Sequence, residues 1–205
     1  MTTRLAVLLS GGGRTLKNLL ERAAELDLEV ALVISNKRSA FGLQRAADAG
    51  IPTCTIPRRG CADTAEFTAR IFAACREAQV DWVCLAGFLK HLAPIPEDFR
   101  QRVLNVHPAL LPAFGGQGFY GARVHAAVLE HGCKLSGCTV HLVDDAYDAG
   151  PIVVQRAVEV RDDDTPETLA ARVFEAECQA YPEALARVRA GFRVVGRRVE
   201  FGPRG

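Results

Sequence analysis

Patterns typical of buried strands and of helices alternate along most of this chain. Four early apolar runs contain few polar residues, as do strands that are covered on both faces of a parallel sheet. The segments between them repeat apolar residues at helical spacing. The apolar runs are LAVLLS (5–10), VALVIS (30–35), WVCLAGF (82–88) and VLNVH (103–107), and the helical segments cover 14–26, 40–50 and 63–79. This alternation predicts an α/β fold with a mostly parallel, Rossmann-like sheet and helices on both faces.

The pattern changes in the second half of the chain. Further helices are predicted at 122–131 and 166–190, and a further strand at 137–143. In the run at 152–160 apolar and polar residues alternate, which is typical of an edge or antiparallel strand. We therefore expect antiparallel pairing at the C-terminal side of the sheet.

Composition and charge argue against several classes of partner. The chain has 205 residues and a net charge of +1, with acidic and basic residues mixed along it, so binding to nucleic acid or a membrane surface is not expected. No apolar run reaches the length of a membrane span. The seven cysteines are scattered and show no C-x-x-C spacing, so neither a disulfide framework nor a metal site is predicted. A reducing cytoplasm is the expected compartment.

A glycine-rich loop, SGGGRT (10–15), joins the first predicted strand to the first helix. Glycines let the backbone approach an anion closely, and a helix N-terminus offers N–H groups to it. Dinucleotide binding requires a third glycine where Leu16 stands, and a P-loop requires Gly-Lys-Ser/Thr, so neither cofactor fits. The loop predicts a cradle for a single phosphate group, and the alternative is a tight turn that binds nothing.

The strand at 103–107 ends with two polar side chains, Asn105 and His107. Residues two apart on a strand point to the same face, so the amide and the imidazole emerge together. Ligands of open α/β sheets bind beyond the carboxyl ends of the strands, where the glycine loop is also expected. The segment DDAYDAGPI (144–152) follows another strand, and one of its aspartates could orient the imidazole. The alternative is a set of turn-capping residues, and the pattern does not select one aspartate.

Taken together, these motifs resemble the folate-dependent formyltransferases, and among them the glycinamide ribonucleotide formyltransferases. The similarity extends over about residues 4–190. It is carried by SGGGRTL, ISNKRSAFGLQRAADAGI, LAGFLKHL, NVHPALLP, TVHLVDDAYDAGPI and ARVFEAECQAYP, which occur in the order that the family shows.

The resemblance implies a role for each matching residue. It implies catalysis by Asn105, His107 and Asp148, and further histidines near the site at 125 and 141. Residues implied in binding the acceptor are Gly11, Gly12, Gly13, Arg14, Thr15 and Glu177. Residues implied in binding the folate are Leu89, Lys90, His91, Leu92, Asn105, Val143 and Asp144. No residue is implied as a metal ligand.

The reaction that the resemblance implies is formyl transfer from 10-formyltetrahydrofolate to the amine of 5′-phosphoribosylglycinamide, in purine biosynthesis. An oxyanion would be stabilised by Asn105 and by His107, which Asp148 would keep protonated. The alternatives are a 10-formyltetrahydrofolate hydrolase and a non-catalytic folate- or nucleotide-binding module of the same fold. The expected partners are these small molecules, without nucleic acid or membrane, and a homodimer is left open.

The expected domain organisation is one formyltransferase domain over residues 1–205. Residues from about 1 to 100 would bind the nucleotide phosphate, about 101–190 would hold folate and catalysis, and 191–205 would be a tail. The chain departs from the family at Ala65, where an arginine is usual and where Arg58 or Arg59 would have to substitute. The glycine-rich segment 114–121 is either a lid or a plain surface loop.

Overall fold

The structure is a computed structural model that describes residues 2–202. The chain divides into two compact units, one up to Asn105 and one from Val106 onward. The order of the elements confirms the predicted α/β class, with a mostly parallel mixed sheet and five α-helices.

Five strands form the parallel sheet of the first unit. They are β1 (Thr3–Leu9), β2 (Leu28–Ser35), β3 (Thr53–Thr55), β4 (Trp82–Leu85) and β5 (Val103–His107), the last of which continues into the second unit. Their order is β3-β2-β1-β4-β5, and the four pairings are parallel. Leu8 pairs with Ile34 on one side and Leu85 on the other, so the carboxyl ends of three strands lie level.

The apolar runs became strands because both of their faces are buried. From Leu5 to Leu9, each side chain of β1 is fully buried, which explains the nearly continuous apolar sequence. The short strand β3 was not predicted, because Thr53–Thr55 is brief and only half-buried. The helices of the first unit are α1 (Arg14–Glu21), α2 (Phe41–Asp48) and α3 (Thr64–Glu77).

Local interactions explain where two helices of the first unit begin or end. Asp63 caps α3, since its carboxylate accepts a hydrogen bond from the backbone N–H of Glu66 at 2.8 Å. Helix α1 is shorter than the predicted span 14–26. It stops at Glu21 because the chain turns through Asp27, at φ +51°, to enter β2.

The second unit contains four further strands, whose pairings are mixed. They are β6 (Leu135–Leu142), β7 (Ile152–Glu159), β8 (Phe192–Val195) and β9 (Arg198–Phe201), in the order β6-β7-β9-β8. Strands β6 and β7 are antiparallel, which confirms the expected antiparallel C-terminal pairing. The prediction of a tail from residue 191 is wrong for residues 192–201. There β8 and β9 form an antiparallel hairpin around Gly196, which has φ +62°.

Two helices complete the second unit, α4 (Ala122–Glu130) and α5 (Pro166–Arg189), and α5 packs on β6 and β7. The N-terminus of α5 is capped by Thr165 and followed by Pro166, as Thr-Pro at this position predicts. Although α5 has 24 residues, no helix within residues 2–202 combines the length and apolar character needed to cross a bilayer.

Candidate active site

The glycine-rich loop leaves β1 in the first unit and leads directly into α1. Gly13 has φ +70°, and a Cβ built there would lie 2.7 Å from the Cα of Gly42. This position therefore requires glycine on both conformational and steric grounds. Helix α1 begins at Arg14, so the loop presents a helix N-terminus, where backbone N–H groups without an intrahelical partner attract anions. The predicted strand–loop–helix geometry is confirmed, and phosphate binding stays a prediction.

Ser10 fixes the start of this loop to two neighbouring segments. Its hydroxyl donates a hydrogen bond to Asn36 Oδ1 at 2.6 Å and accepts one from the backbone N–H of Leu89 at 2.9 Å. Its own N–H donates to the carbonyl of Gly87 at 3.0 Å. The loop and the segment that follows β4 are thus held together within the first unit.

The other residues predicted to bind the acceptor or the folate in this unit differ in exposure. Gly11, Gly12 and Arg14 are exposed, whereas Thr15 is buried. In the segment after β4, Leu89 and Lys90 are exposed, His91 is half-buried and Leu92 is only 2% exposed. Leu92 packs in the core, so a direct contact with a ligand is better suited to the residues before it. Arg58 donates to the carbonyl of Cys61 at 2.9 Å, and Arg59 is exposed.

Strand β5 delivers the predicted amide and imidazole. Asn105 is half-buried and His107 is buried, and their spacing places both on one face of the strand. The strand has the predicted bounds, Val103–His107, and ends at Pro108, which cannot donate a ladder hydrogen bond.

Asp148 lies between two histidines in the second unit. Its Oδ2 is 3.5 Å from His107 Nδ1, and its Oδ1 is 3.7 Å from His141 Nε2. The two imidazoles are almost completely buried, and the carboxylate is 13% exposed. Among the three aspartates of the 144–152 segment, it is Asp148 that the structure places beside the two imidazoles, and its catalytic role stays a prediction.

Hydrogen bonds to backbone carbonyls fix the tautomers of both rings. His107 Nε2 lies 2.7 Å from the carbonyl oxygen of Phe114, and His141 Nδ1 lies 2.9 Å from that of Leu142. A carbonyl can only accept, so each of these nitrogens carries a hydrogen and donates it. When the rings are neutral, the nitrogens that face Asp148 carry no hydrogen. A proton added at His107 Nδ1 would be donated to the carboxylate of Asp148.

The pKa of His107 is lower than its ordinary value, against the expectation that Asp148 keeps this ring protonated. Burial is the main cause because it disfavours the charged form, and His141 adds to the decrease. Asp148 and the Phe114 carbonyl act in the opposite direction but do not outweigh burial. Burial therefore favours a neutral His107 in the unliganded protein, and the expectation that Asp148 keeps the ring protonated during the reaction stays a prediction.

Asp148 itself stays ionised. Burial alone would raise its pKa, but His141, His107 and the backbone N–H of Gly116 together lower it below the ordinary value. The Gly116 N–H donates to Asp148 Oδ2 at 2.9 Å. Asp148 also has φ +49°, an uncommon conformation for a non-glycine residue that turns the carboxylate towards the imidazoles.

The segment Phe114–Gly116 lies directly over this cluster, which sequence reasoning did not predict. Phe114 accepts from His107, Gly116 donates to Asp148, and a Cβ at Gly115 would lie 3.4 Å from the Asp148 Cβ and 2.4 Å from a Leu111 methyl group. The Gly-Gly pair after Phe114 was the available signal, because close backbone approach favours glycine. Phe119 and Tyr120, further along the segment, are exposed.

The remaining predicted residues of the second unit lie in two places. Val143 and Asp144 are half-buried after β6, where Asp144 Oδ1 accepts from the N–H of Ala146 at 3.0 Å. Glu177 is half-buried on α5, beside Cys138 of β6. Burial raises the pKa of Cys138 to about 12, and Glu177 adds to this rise.

His125 on α4 is buried, and its Nδ1 makes no hydrogen bond within residues 2–202. Burial lowers its pKa, and the nearby His107 contributes to the decrease. The unfolded chain binds a proton at His125 near pH 6.5 and the folded chain only at a lower pH, so this residue reduces stability as the pH falls from 6.5 towards the folded pKa.

We therefore expect His125→Gln to weaken the loss of stability on acidification. Urea unfolding at pH 7.5 and pH 5.5 should show a smaller difference in unfolding free energy for the variant than for the wild type. An unchanged difference would mean that His125 titrates in the folded protein as it does in the unfolded chain.

No group of three or more His, Cys, Asp or Glu side chains within residues 2–202 is arranged to hold a metal ion. The expectation that no metal takes part stays a prediction.

Comparison with known proteins is consistent with this geometry. The formyl transferase family model matches residues 3–185. A chloroplastic phosphoribosylglycinamide formyltransferase of Arabidopsis thaliana is 40% identical over 90% of this chain and 65% of its own length. The trifunctional purine biosynthetic protein adenosine-3 of Drosophila melanogaster is 41% identical over 94% of this chain and 14% of its own length.

Solved structures extend the comparison. A glycinamide ribonucleotide transformylase 1 of Symbiobacterium toebii matches with a TM-score of 0.91 and 38% identity, over 98% of this chain and 94% of its own. A formyltetrahydrofolate deformylase of Pseudomonas syringae matches with a TM-score of 0.85 and 26% identity, over 98% of this chain and 66% of its own.

The chain spans less than two thirds of the length of the two curated relatives described above. Its match to the family model nevertheless includes β5, the 144–152 segment and the glycine loop. The chain therefore belongs to the formyl transferase family.

Proposed function

We propose that this protein transfers a formyl group from 10-formyltetrahydrofolate to the amine of 5′-phosphoribosylglycinamide, a step of purine biosynthesis. The observation that carries the proposal is the buried His107–Asp148–His141 cluster, which forms where the N-V-H-P motif ends β5. Two relatives that are 40% and 38% identical to this chain are named for transfer to phosphoribosylglycinamide, or glycinamide ribonucleotide, and they support this choice of acceptor.

In this reaction the acceptor amine attacks the formyl carbon, and negative charge develops on the formyl oxygen. The amide of Asn105 and the imidazole of His107 would donate hydrogen bonds to that oxygen, which is the usual means of stabilising such charge. In the structure, the His107 Nε2–H is donated to the carbonyl of Phe114. The formyl oxygen would therefore compete with this carbonyl for the same hydrogen.

The attacking amine must also lose a proton, which the leaving nitrogen of tetrahydrofolate gains. The imidazole nitrogens that face Asp148 have no hydrogen in the neutral rings, so the cluster can hold this proton between the two events. Asp148 stabilises the protonated ring because its carboxylate is ionised and lies 3.5 Å from His107 Nδ1. Burial then favours release of the proton, since it disfavours the charged imidazole.

The binding roles follow the resemblance. Residues 11–15 would bind the acceptor phosphate and Glu177 the glycinamide. Leu89, Lys90 and His91 would contact the folate together with Val143 and Asp144, while Leu92 would support this segment from the core. The folate is a substrate and not a resident cofactor. We also propose one functional domain, no metal requirement and a cytoplasmic location. The seven free cysteines are consistent with a reducing compartment.

The test is single-turnover formyl transfer. Purified protein is mixed with 10-formyltetrahydrofolate, with and without 5′-phosphoribosylglycinamide, and the release of tetrahydrofolate is followed by absorbance. Release that requires the ribonucleotide, together with formylated product, is the expected result.

Two other outcomes would replace the proposal. Release of tetrahydrofolate without the acceptor would indicate hydrolysis of the formyl group in place of its transfer; the Pseudomonas syringae neighbour is named a formyltetrahydrofolate deformylase. Binding of the folate without release would indicate a non-catalytic binding module.

A further inference from the structure

An arginine on α2, to which no role has been given above, is anchored to the glycine-rich loop. Arg45 Nε donates a hydrogen bond to the carbonyl of Gly12 at 2.8 Å. The same helix holds the loop at a second point, where the N–H of Gly42 donates to the carbonyl of Gly11 at 3.0 Å. The Arg45 Cδ also lies 3.6 Å from the position that a Cβ at Gly13 would take. The base of the guanidinium is therefore fixed beside the predicted phosphate loop.

The charge of Arg45 is held in place but is not neutralised. Its guanidinium carbon lies 4.9 Å from the ring centroid of Phe41, so the cation stacks on that ring. Within residues 2–202 the guanidinium makes no ion pair, and its only hydrogen bond uses Nε. Both Nη groups therefore keep their N–H donors available. By contrast, Arg4, Arg76 and Arg172 each pair with a carboxylate at 2.7 Å.

The surroundings of this guanidinium are open to a ligand. Among residues 2–202, no atom outside the adjoining residues lies within 4 Å of the Cβ positions of Gly11 and Gly12, and both residues are exposed. The stacking partner Phe41 is 58% exposed, although phenylalanine is usually buried. An arginine fork beside backbone N–H groups is well suited to a phosphate, because it can donate two parallel hydrogen bonds to two oxygens.

We propose that Arg45 binds the phosphate of the acceptor ribonucleotide through its Nη groups, while its Nε holds the loop through Gly12. The inference rests on the proposed function, because that function supplies a phosphorylated acceptor. It adds a specificity residue to the loop: Arg45 distinguishes the phosphorylated acceptor from its nucleoside. The sequence pattern did not reveal it, since 33 residues separate Arg45 from Gly12.

The test is calorimetric binding of 5′-phosphoribosylglycinamide and of the same molecule without its phosphate. Arg45→Gln should weaken binding of the phosphorylated form by about ten- to a hundredfold, the effect of one hydrogen-bonded charge, and leave binding of the nucleoside unchanged. Arg45→Lys should lose less affinity for the phosphorylated form than Arg45→Gln does, because lysine keeps the positive charge. Arg70→Gln on α3 is the matched control, since it removes an exposed arginine that pairs with Glu66, and it should bind both molecules as the wild type does.

Salt dependence separates a phosphate contact from a mere support of the loop. If Arg45 touches the phosphate, the wild type should lose affinity with rising salt more steeply than Arg45→Gln does. The proposal would be overturned if the affinities of the wild type and Arg45→Gln fell equally steeply with salt. It would also be overturned if Arg45→Gln lost the same affinity for both molecules, or if it bound the phosphorylated form as the wild type does. Failure of the wild type to bind the ribonucleotide would overturn it as well.

Failure of the proposed formyl transfer can be distinguished from failure of the proposed Arg45 contact. A wild type that binds the ribonucleotide through Arg45 but does not formylate it would refute the reaction and keep the phosphate contact. A wild type that turns over while Arg45→Gln binds normally would refute the contact alone.

Discussion

Replacing Asp148 by asparagine is expected to lower kcat for formyl transfer by about a hundred- to ten-thousandfold, the range that positioned acid–base groups contribute. Asparagine has nearly the same shape, so its side-chain oxygen can still accept from the Gly116 N–H. It cannot provide the negative charge that lies 3.5 Å from His107 and 3.7 Å from His141. The protonated imidazole therefore becomes less stable, while the binding of either substrate changes little. The measurement is kcat and KM for both substrates at pH 7.5.

Asp145→Asn is the control for this substitution. Asp145 is an exposed residue of the same segment, three positions earlier, and its replacement should leave kcat unchanged. Urea unfolding shows whether both variants are folded.

The pKa of Asp148 is lower in the folded chain than in the unfolded one, so its charge adds stability above pH 3.8 that is lost as the pH falls through the folded value. Asp148→Asn should thus be somewhat less stable at neutral pH. Near wild-type turnover in a folded Asp148→Asn would refute the catalytic assignment.

The elements near the site were predictable where the pattern is local. Strand β5 has the predicted bounds because a fully apolar start and a following proline define it within a few residues. Asn105 and His107 at its polar end were identified because they stand out in this short apolar segment. The hairpin of β8 and β9 was missed, although FRVVGRRVEF alternates on both sides of Gly196, because four-residue strands carry a weak signal.

The contacts that complete the cluster could not be predicted from patterns. Asp148 differs from Asp144 and Asp145 by its backbone turn at φ +49°, and that conformation depends on the packing around it. The bond from Gly116 to Asp148 spans 32 residues. The lowered pKa of His107 was not predicted either, because a neighbouring carboxylate is visible in the sequence, whereas the degree of burial is a property of the folded chain.

Gly150→Ala is expected to lower the unfolding free energy by about 4 kcal/mol, because a backbone clash cannot be relieved by a side-chain rotation. A Cβ at this position would lie 1.8 Å from the carbonyl oxygen of Leu142 and 2.9 Å from its carbonyl carbon. The two segments are also joined next to this point, where the N–H of Leu142 donates to the carbonyl of Pro151 at 2.9 Å. Space for the methyl group can come only from separating the end of β6 from the start of β7.

That separation would also disturb the catalytic cluster, since His141 precedes Leu142 and Asp148 lies two residues before Gly150. Gly150→Ala should therefore lose activity even at temperatures where it remains folded. Urea unfolding monitored by circular dichroism gives the stability, and kcat below the unfolding transition gives the second effect. Gly202→Ala is the matched control, because no atom of the described residues other than its chain neighbours lies within 4 Å of its Cβ position, and its φ is not positive. If Gly150→Ala were as stable as Gly202→Ala, the connection between β6 and β7 would have to move easily to make room for the methyl group. The idea that this connection holds Asp148 rigidly in place would then be refuted.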